Sequence, residues 1–500
     1  MKKLIAYITV LGILPALLLN GCSLDTPADP TGQVPPPTRE EATTPYVAVG
    51  NSLTAGFMDS GLMKAGQANS YAMIVATQMG LDQNTFTQPW IEAPGLGTTD
   101  VTEVVGPGFV SGVLHWNGTT ITPLDVTPET ELSPLLLAVS QPIQYHNLGV
   151  PGAFSFDLLN AYSAASSYAA GPPFQKPNSY FEFINRSGDL ANVFGNTTIP
   201  PNPPTPGYET GSQLNQVIAQ GPGLVTAWVG GNDFLFGATS GEPLPGSPYN
   251  ALITPAATFA ENYGTFLGSL LGGLQKRNGF ATPVVTATLP LVRNIAYYLD
   301  RPTFEQIFGA LQLSYEETDA EYILVIDFMG SDPQFEDTLP EEMTLDTAEV
   351  NYLDNEVIGA YNAAIVGSMG QFLGAPGAPI DQLPIVDFNA KMDELRAADP
   401  GAAWHFLLHR VTNPSGTVAD WAAATYFSLD GVHPNNKGYA FVANAFLEKI
   451  NQVTGSSWPS VPVEAFVWDP TYGAPIPTSA TIDQVPKISP EVIAAMKSGF

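Results

Sequence analysis

The sequence predicts an α/β fold in which helices cover both faces of a mainly parallel β-sheet. Short runs of β-branched and aromatic residues, which are typical of buried strands, alternate with longer segments of helical pattern. Hydrophobic residues make up 44% of the 500 residues and charged residues only 13%, so the chain has enough apolar material for a large core. The length fits one large domain with long insertions or about two to three separate domains.

The predicted elements follow one another in the order that a parallel sheet requires. Strands are predicted at 46–50, 144–150, 224–229, 283–289 and 383–388, and helices at 70–80, 259–274, 348–369 and 435–451. Two stretches rich in Pro, Gly and Thr, at about 85–140 and 160–210, are interpreted as insertions, the first with a small β element. The Pro-rich tail at 456–500 is expected to wrap the surface.

The N-terminal residues have the character of a secretory leader. A short positive segment precedes an apolar run at 4–19, which is too short to span a bilayer comfortably. The run is followed by Asn-Gly-Cys, which is similar to the bacterial lipobox, where cleavage precedes a cysteine that becomes lipidated. We therefore expect a signal peptide at 1–21, lipidation of Cys22 and an extended tether at 22–45. The alternative is an ordinary signal peptide with a chance cysteine.

The charge balance and the cysteine count exclude several partners. The chain has 17 Lys and Arg against 47 Asp and Glu, and this net charge of −30 repels nucleic acid and anionic membrane surfaces. Cys22 is the only cysteine, which excludes an intrachain disulfide and cysteine-based zinc sites. Membrane contact is therefore expected only through the lipid anchor, at the bacterial cell envelope, and at the outer membrane or cell surface rather than the inner membrane.

Residues capable of acyl-transfer chemistry follow the predicted strands. Ser52 comes after the first strand, Gly152 after the second and Asn232 after the third, and Asp430 and His433 precede the last helix. Because the carboxyl ends of parallel strands meet at one edge, these groups are expected to lie close together. They supply a nucleophile, oxyanion donors, a base and an acid that orients the base.

Each of these segments has a simpler reading when it is taken alone. A serine at this point often caps a helix, Pro-Gly often forms only a turn, and Gly-Asn-Asp often forms an Asx-turn. An Asp and a His three residues apart are also frequent by chance. The four segments together, in this order, favour a catalytic site.

The four segments resemble the blocks of the SGNH hydrolase superfamily, the GDSL-like esterases and lipases. Ser52, Gly152, Asn232 and His433 match the four blocks one by one, and Asp430 matches the acid of the last block. The resemblance implies a three-layer α/β/α sandwich with a sheet of about five strands. It covers the chain from about residue 46 to 451 apart from the two insertions, and the hydrolase domain is expected at 46–455.

The resemblance also implies a mechanism and a set of site residues. Ser52 is the expected nucleophile, and the Ser52 and Gly152 N–H groups with the Asn232 side chain form the expected oxyanion hole. His433 and Asp430 complete the triad. Asn51 stands where the family usually has Asp, which is expected to alter hydrogen bonding near Ser52 without abolishing activity. The Gly-x-Ser-x-Gly elbow of α/β-hydrolases does not occur in this sequence.

The predicted function is hydrolysis of carboxylic esters, such as fatty-acyl or lipid esters, through a Ser52 acyl-enzyme without metal or organic cofactor. Aromatic residues in or next to the insertions suggest an apolar lid or acyl pocket, namely Phe154, Phe156, Tyr180, Phe181 and Phe183. Two alternatives remain. One is a non-catalytic surface lipoprotein that binds glycan or lipid, and the other is an assembly role in an envelope complex.

Two further patterns are interpreted as structural. His405 and His409 have the spacing of two helical metal ligands, but they lack the Glu of a zinc protease motif and are expected to be packed histidines. The acidic stretches at 316–321 and 332–342 lack calcium-loop spacing and are expected to be solvated loop or helix face.

Overall fold

A computed structural model describes residues 45–97, 109–128, 145–184, 211–330, 338–474 and 487–488. The predicted signal peptide, Cys22 and the tether lie outside the described residues, as do parts of both insertions and most of the end of the tail. The predicted domain boundaries therefore stay predictions.

The centre of the fold is an all-parallel sheet of five strands. The strands are β1 (Tyr46–Gly50), β2 (Asn147–Gly149), β3 (Leu224–Trp228), β4 (Val284–Ala287) and β5 (Ile385–Val386). Their order across the sheet is β5-β4-β3-β1-β2, and every pair is parallel. This confirms the predicted α/β fold, and each strand lies within a segment predicted as one or overlaps it closely.

The strands form where the sequence is apolar and β-branched because both faces of the sheet are covered. All residues of β1 and β3 are buried. The polar groups among them pair across strands, as the Tyr46 hydroxyl does with Thr226 Oγ1 at 2.7 Å. Buried hydroxyls thus keep hydrogen-bond partners inside an apolar core.

Two sets of helices flank this sheet. The main helices are α1 (Ser52–Ala55), α2 (Tyr71–Gln78), α3 (Gln213–Gln220), α4 (Asn232–Ala238), α5 (Ala256–Asn278), α6 (Gly359–Phe372), α7 (Phe388–Ala398), α8 (Phe406–Thr412) and α9 (Asn436–Thr454). Helix α5 packs against α3 and α6, and its Tyr263 hydroxyl pairs with Thr286 of β4. Helices α2 and α9 pack together and bring Tyr71 and Phe446 against Trp228 of β3.

Shorter elements connect the main ones. Further helices are Lys64–Ala68, Asp157–Asn160, Tyr180–Ile184, Arg301–Phe308, Val325–Gly330, Thr347–Asn351 and Val418–Ala424, and a π-helical segment, Tyr352–Ile358, leads into α6. Single 3₁₀ segments are Ala164–Ser166, Tyr168–Ala170, Pro248–Leu252, Val292–Asn294, Gly309–Leu311, Glu341–Met343, Ile380–Gln382, Pro400–Ala403 and Val463–Ala465. Two-stranded pairs are Gly61–Leu62 with Leu96–Gly97, Phe109–Ser111 with Val126–Pro128, and Ser314–Tyr315 with Thr338–Leu339.

A second, antiparallel sheet follows β4 and includes the end of the first acidic stretch. It consists of Tyr298–Asp300, Ala320–Leu324 and Thr344–Asp346. Residues 316–319 of the first acidic stretch form a largely exposed turn, as predicted, and only residues 320–321 belong to the middle strand. Glu321 faces solvent while Ala320 and Ile323 are buried, so the acidic side chains masked a strand with one buried face. Residues 331–337 lie outside the described part.

The described part of the tail packs along α9. The side chains of Asn436, Asn444 and Asn451 donate to the carbonyl oxygens of Val467, Val461 and Trp458. The small β element of the first insertion is extended by a distant piece of the tail, because Lys487–Ile488 pairs with Thr120–Pro123, which also pairs with Leu114–Trp116. In the part of the chain that the structure describes, no helix is both long and apolar enough to cross a bilayer.

Candidate active site

Ser52 lies at the carboxyl edge of the sheet, where β1 passes directly into α1. Asn51 is the N-cap of α1, and its Oδ1 accepts the Leu53 N–H at 3.1 Å. The close approach of β3 requires glycine at position 50, because a Cβ there would lie 2.1 Å from the Trp228 carbonyl oxygen. This packing presents Ser52 on the first residue of a helix, where backbone N–H groups are unpaired.

The structure brings three of the predicted residues into one hydrogen-bonded chain. His433 Nε2 lies 2.9 Å from Ser52 Oγ, and His433 Nδ1 lies 3.0 Å from Asp430 Oδ2. The three side chains are buried, with 2%, 5% and 4% exposure for Ser52, His433 and Asp430. With Nδ1 donating to Asp430, Nε2 is free to accept the Ser52 proton, which is the arrangement that activates a serine.

Asp430 is held in its ionised form by its surroundings. Its Oδ1 accepts the Val432 and His433 N–H groups at 2.9 and 2.8 Å, and its Oδ2 also accepts the Ser60 N–H at 2.8 Å. Burial alone would raise the pKa of Asp430, but the charge of His433 and these hydrogen bonds outweigh it and lower the pKa to about 2. The carboxylate is therefore charged at neutral pH and fixes the orientation of the imidazole.

Gly152 lies in a tight turn just past β2. The Ala153 N–H donates to the Val150 carbonyl at 3.1 Å, and Gly152 has φ of +74° after Pro151. This is a type II turn, which favours glycine at that position. Among the described residues, no hydrogen bond uses the Gly152 N–H, so it can donate to a ligand.

Asn232 is the first residue of α4, just past β3. Its Nδ2 donates to the Ala153 carbonyl at 2.9 Å, which ties it to the Gly152 turn. The next residue, Asp233, strengthens this link, because its carboxylate accepts the Ser155 N–H and hydroxyl at 2.8 and 2.7 Å. Since an amide NH₂ has a second proton, Asn232 can hold the turn and still donate to an oxyanion.

Asn51, which replaces the aspartate of the family pattern, is a helix cap in this structure. An aspartate would also accept the Leu53 N–H, so the cap itself does not require Asn. Asn51 also approaches α4, because a Cβ on Gly231 would lie 3.4 Å from Asn51 Nδ2. The substitution places a neutral amide rather than a negative charge beside the groups that would stabilise an oxyanion.

An apolar cleft opens beside Ser52 and His433. Its walls include Leu53, Leu235, Leu289, Phe388, Leu395 and Phe441, and the cleft is partly open to solvent. A few polar side chains also line it, among them Asn51, Asn232 and Asn294. An apolar pocket with a few polar groups at one end is typical of a small-molecule site.

The aromatic residues that were expected to form this pocket lie elsewhere. Phe154, Tyr180 and Phe181 are buried in two separate hydrophobic clusters, and neither they nor Phe156 line the cleft. Phe183 lies in the helix Tyr180–Ile184, but its side chain is outside the described part. The described aromatic residues therefore do not line this cleft, because Phe154 packs against Phe174 and Phe236 and Tyr180 lies edge-on to Phe57.

His405 and His409 bind separate backbone carbonyl groups. His405 Nε2 lies 2.9 Å from the Leu429 carbonyl, and His409 Nε2 lies 3.0 Å from that of Gly401. Burial lowers the pKa of His405 to about 4, so this ring is neutral. Among the described residues, no cluster of three or more His, Cys, Asp or Glu is placed to hold a metal ion.

Sequence reasoning missed Ser60, Asp59 and Asp233, which hold the site residues in place. Ser60 acts through its backbone N–H, for which no sequence signal exists. Asp233 is adjacent to Asn232, so its position in Gly-Gly-Asn-Asp is the one available signal. Asp59 accepts a hydrogen bond from the Leu429 N–H, next to Asp430.

A serine, histidine and aspartate in one hydrogen-bonded chain, at the carboxyl edge of a parallel α/β sheet, define a serine-hydrolase type of site. The family described as GDSL-like Lipase/Acylhydrolase matches residues 46–446. The chain therefore belongs to this family of serine esterases, which confirms the resemblance inferred from the four blocks. Membership implies ester hydrolysis. The chain matches no curated protein and no solved structure.

Proposed function

We propose that this protein hydrolyses carboxylic esters through an acyl-enzyme on Ser52. The observation that carries the proposal is the 2.9 Å contact between His433 Nε2 and Ser52 Oγ, with the ring held from behind by Asp430. Family membership supports the reaction class.

The mechanism follows from the hydrogen-bond chain. His433 Nε2 takes the Ser52 proton as Oγ attacks the acyl carbonyl, and the resulting oxyanion accepts hydrogen bonds from Ser52 N–H, Gly152 N–H and the Asn232 amide. His433 then donates the proton to the alcohol oxygen, and the bond between acyl carbon and alcohol breaks. In deacylation, His433 takes a proton from water and the hydroxyl attacks the acyl carbon. The bond between that carbon and Oγ then breaks, His433 returns the proton to Oγ, and the carboxylic acid leaves.

The direct test is hydrolysis of a p-nitrophenyl ester by the wild type and by Ser52→Ala. We expect the wild type to release p-nitrophenol and the variant to lose activity by about 10⁴-fold or more. Equal rates in the two proteins, both folded by circular dichroism, would contradict the proposed nucleophile.

We also propose that the acyl part of the substrate is a medium or long fatty-acyl chain. The cleft beside Ser52 is lined largely by apolar side chains, and each buried CH₂ contributes about 0.8 kcal/mol. A chain-length series of p-nitrophenyl esters is therefore expected to show kcat/KM rising from acetate to octanoate. A wide preference for acetate over octanoate would refute the acyl assignment but not the esterase.

Two variants distinguish an effect of filling the cleft from a general effect of introducing a bulky residue. Leu235 is half-buried and lines the cleft, whereas Leu271 is half-buried on α5 and does not. Leu235→Trp is expected to lower activity on octanoate much more than on acetate, and Leu271→Trp is expected to leave the ratio unchanged.

We propose further that the enzyme is lipid-anchored at the cell envelope through Cys22, where lipid esters are within reach. The support is sequence alone: an apolar run that ends in a lipobox-like segment, followed by a Pro/Thr-rich tether. Expression in a bacterial host should give palmitate-labelled protein in the membrane fraction. Cys22→Ser should abolish the label, and an unlabelled wild type would contradict the anchor.

The alternative of a non-catalytic binding lipoprotein expects a broken triad or a blocked pocket. The Ser52 to His433 contact and the apolar cleft beside it favour the esterase over this alternative. No specific observation favours an assembly role.

A further inference from the structure

A second buried aspartate, Asp59, lies behind the triad acid. Its Oδ1 accepts the Leu429 N–H at 2.7 Å, and its backbone N–H donates to Ser428 Oγ at 3.0 Å. The next residue, Ser60, donates its N–H to Asp430 Oδ2. The segment Asp59–Ser60 is therefore hydrogen-bonded to three consecutive residues, 428–430, of the loop that carries Asp430.

The backbone of this segment is strained. Asp59 and Ser60 have φ of +54° and +52°, and Met58 and Gly61 exchange two hydrogen bonds of 3.1 Å around them. This is a type I′ hairpin turn, in which Asp suits the first central position but glycine is preferred at the second, so the strain lies at Ser60. A strained backbone persists where the surrounding contacts hold it in place, and here those contacts are the hydrogen bonds to the Asp430 loop.

The outer side of Asp59 is held by the C-terminal strap, which we define as residues 468–474. Asp59 Oδ2 accepts the Trp468 indole N–H at 3.1 Å and the Tyr472 hydroxyl. The strap is itself anchored, because the Trp116 N–H donates to the Pro470 carbonyl at 2.7 Å and Trp468 is 4% exposed. The family match ends at residue 446, so the strap lies beyond it.

The hydrogen bonds around Asp59 are those of a carboxylate. It accepts three N–H or O–H donors, and an amide at this position would have to turn its NH₂ group toward at least one of them. Burial raises the pKa of Asp59 to about 7, the three hydrogen bonds act in the opposite direction, and the charge of Asp430 adds to the rise. A complete set of donors is thus what keeps a carboxylate tolerable at this depth.

We propose that Asp59 is a positioning residue for the triad and that the C-terminal strap, through Trp468 and Tyr472, holds Asp59 in place. Asp59 links the strap to the loop at 428–430 and so sets the place of Asp430 behind His433. This inference rests on the proposed esterase function. The inference adds that removing the contact of Tyr472 with Asp59 lowers kcat rather than substrate binding, although Tyr472 lies about 400 residues from Ser52 in sequence.

The test compares Asp59→Asn and Tyr472→Phe with the control Tyr263→Phe, all in the full chain. Tyr263 is also buried, and its hydroxyl pairs with Thr286 at 2.8 Å, away from the triad. Both tyrosine variants lose one hydroxyl hydrogen bond, and Tyr472→Phe is expected to lower Tm more than Tyr263→Phe because its hydroxyl serves a buried carboxylate. Activity on p-nitrophenyl butyrate is measured well below the lowest Tm.

We expect kcat to fall about tenfold in Tyr472→Phe and about 10²-fold in Asp59→Asn, with KM nearly unchanged, because the reacting groups are displaced. Tyr263→Phe should keep the wild-type kcat. If Asp59→Asn fails to fold, Tyr472→Phe still decides the outcome. A Tyr472→Phe enzyme with lowered Tm and wild-type kcat would overturn the inference, whereas an inactive wild type would instead overturn the proposed function.

Discussion

Replacement of Asp430 by Asn tests how the site controls the tautomer of His433. In the native structure, Oδ1 accepts two backbone N–H groups, and Oδ2 accepts the Ser60 N–H and His433 Nδ1. An Asn side chain keeps most of these contacts when its oxygen takes the Oδ1 place. Its NH₂ group then faces Nδ1, which must become an acceptor, so the proton moves to Nε2.

When Nε2 carries the proton, it cannot accept the proton of Ser52, so His433 no longer acts as general base. In the serine-protease triad the same substitution lowers kcat by about 10⁴-fold, which corresponds to about 5.4 kcal/mol of transition-state stabilisation. We expect Asp430→Asn to lower kcat by about 10³- to 10⁴-fold while KM changes little. The new contact between the NH₂ group and the Ser60 N–H is expected to cost about 1–3 kcal/mol of folding stability.

The assay is steady-state hydrolysis of p-nitrophenyl butyrate at a temperature well below the Tm of the variant. Asp346→Asn is the matched control, because Asp346 caps its helix by accepting the Glu349 N–H at 2.7 Å and Asn caps equally well. A folded Asp430→Asn enzyme within tenfold of the wild-type kcat would refute the role assigned to this carboxylate.

Two further predictions follow from the same geometry. Asn232→Ala is expected to lower kcat by about 10²- to 10³-fold with little change in KM, because one oxyanion donor is lost, and a change in KM alone would contradict this. Burial raises the pKa values of Asp59 and Asp157 to about 7 and of Asp233 to about 6, so the folded state binds more protons than the unfolded state between about pH 4 and 7. The free energy of unfolding should therefore fall as pH rises through this range, and a Tm that rises from pH 5 to 8 would contradict these pKa shifts.

The core of the fold and the triad were predictable because their signals are local. Each parallel strand is a short apolar run, and each predicted site residue lies close to a strand end or precedes the last helix. Ser52, Asn232 and Gly152 each follow a strand within a few residues, so the rule that carboxyl ends converge was enough to group them. The bounds of the strands were the least accurate part, as for β2, which is shorter than predicted.

The cleft and the support of the triad depend on contacts between distant segments. Leu235, Phe388 and Leu395 line one cleft although they come from two separate helices, and their apolar character is the same as that of core residues. The partners of Asp59 lie 370, 409 and 413 residues further along the chain. No local pattern marks an aspartate that is buried by contacts of this range.

The measurement that tests the central claim most directly is labelling by a fluorophosphonate probe, in which Ser52 Oγ attacks phosphorus and fluoride leaves. Wild type, Ser52→Ala and His433→Ala are compared after folding is verified by circular dichroism. We expect the wild type to be labelled and both variants to remain unlabelled, since the hydroxyl needs the imidazole to become nucleophilic. A folded wild type that takes no label, or a Ser52→Ala variant that is labelled like the wild type, would contradict Ser52 as the activated nucleophile.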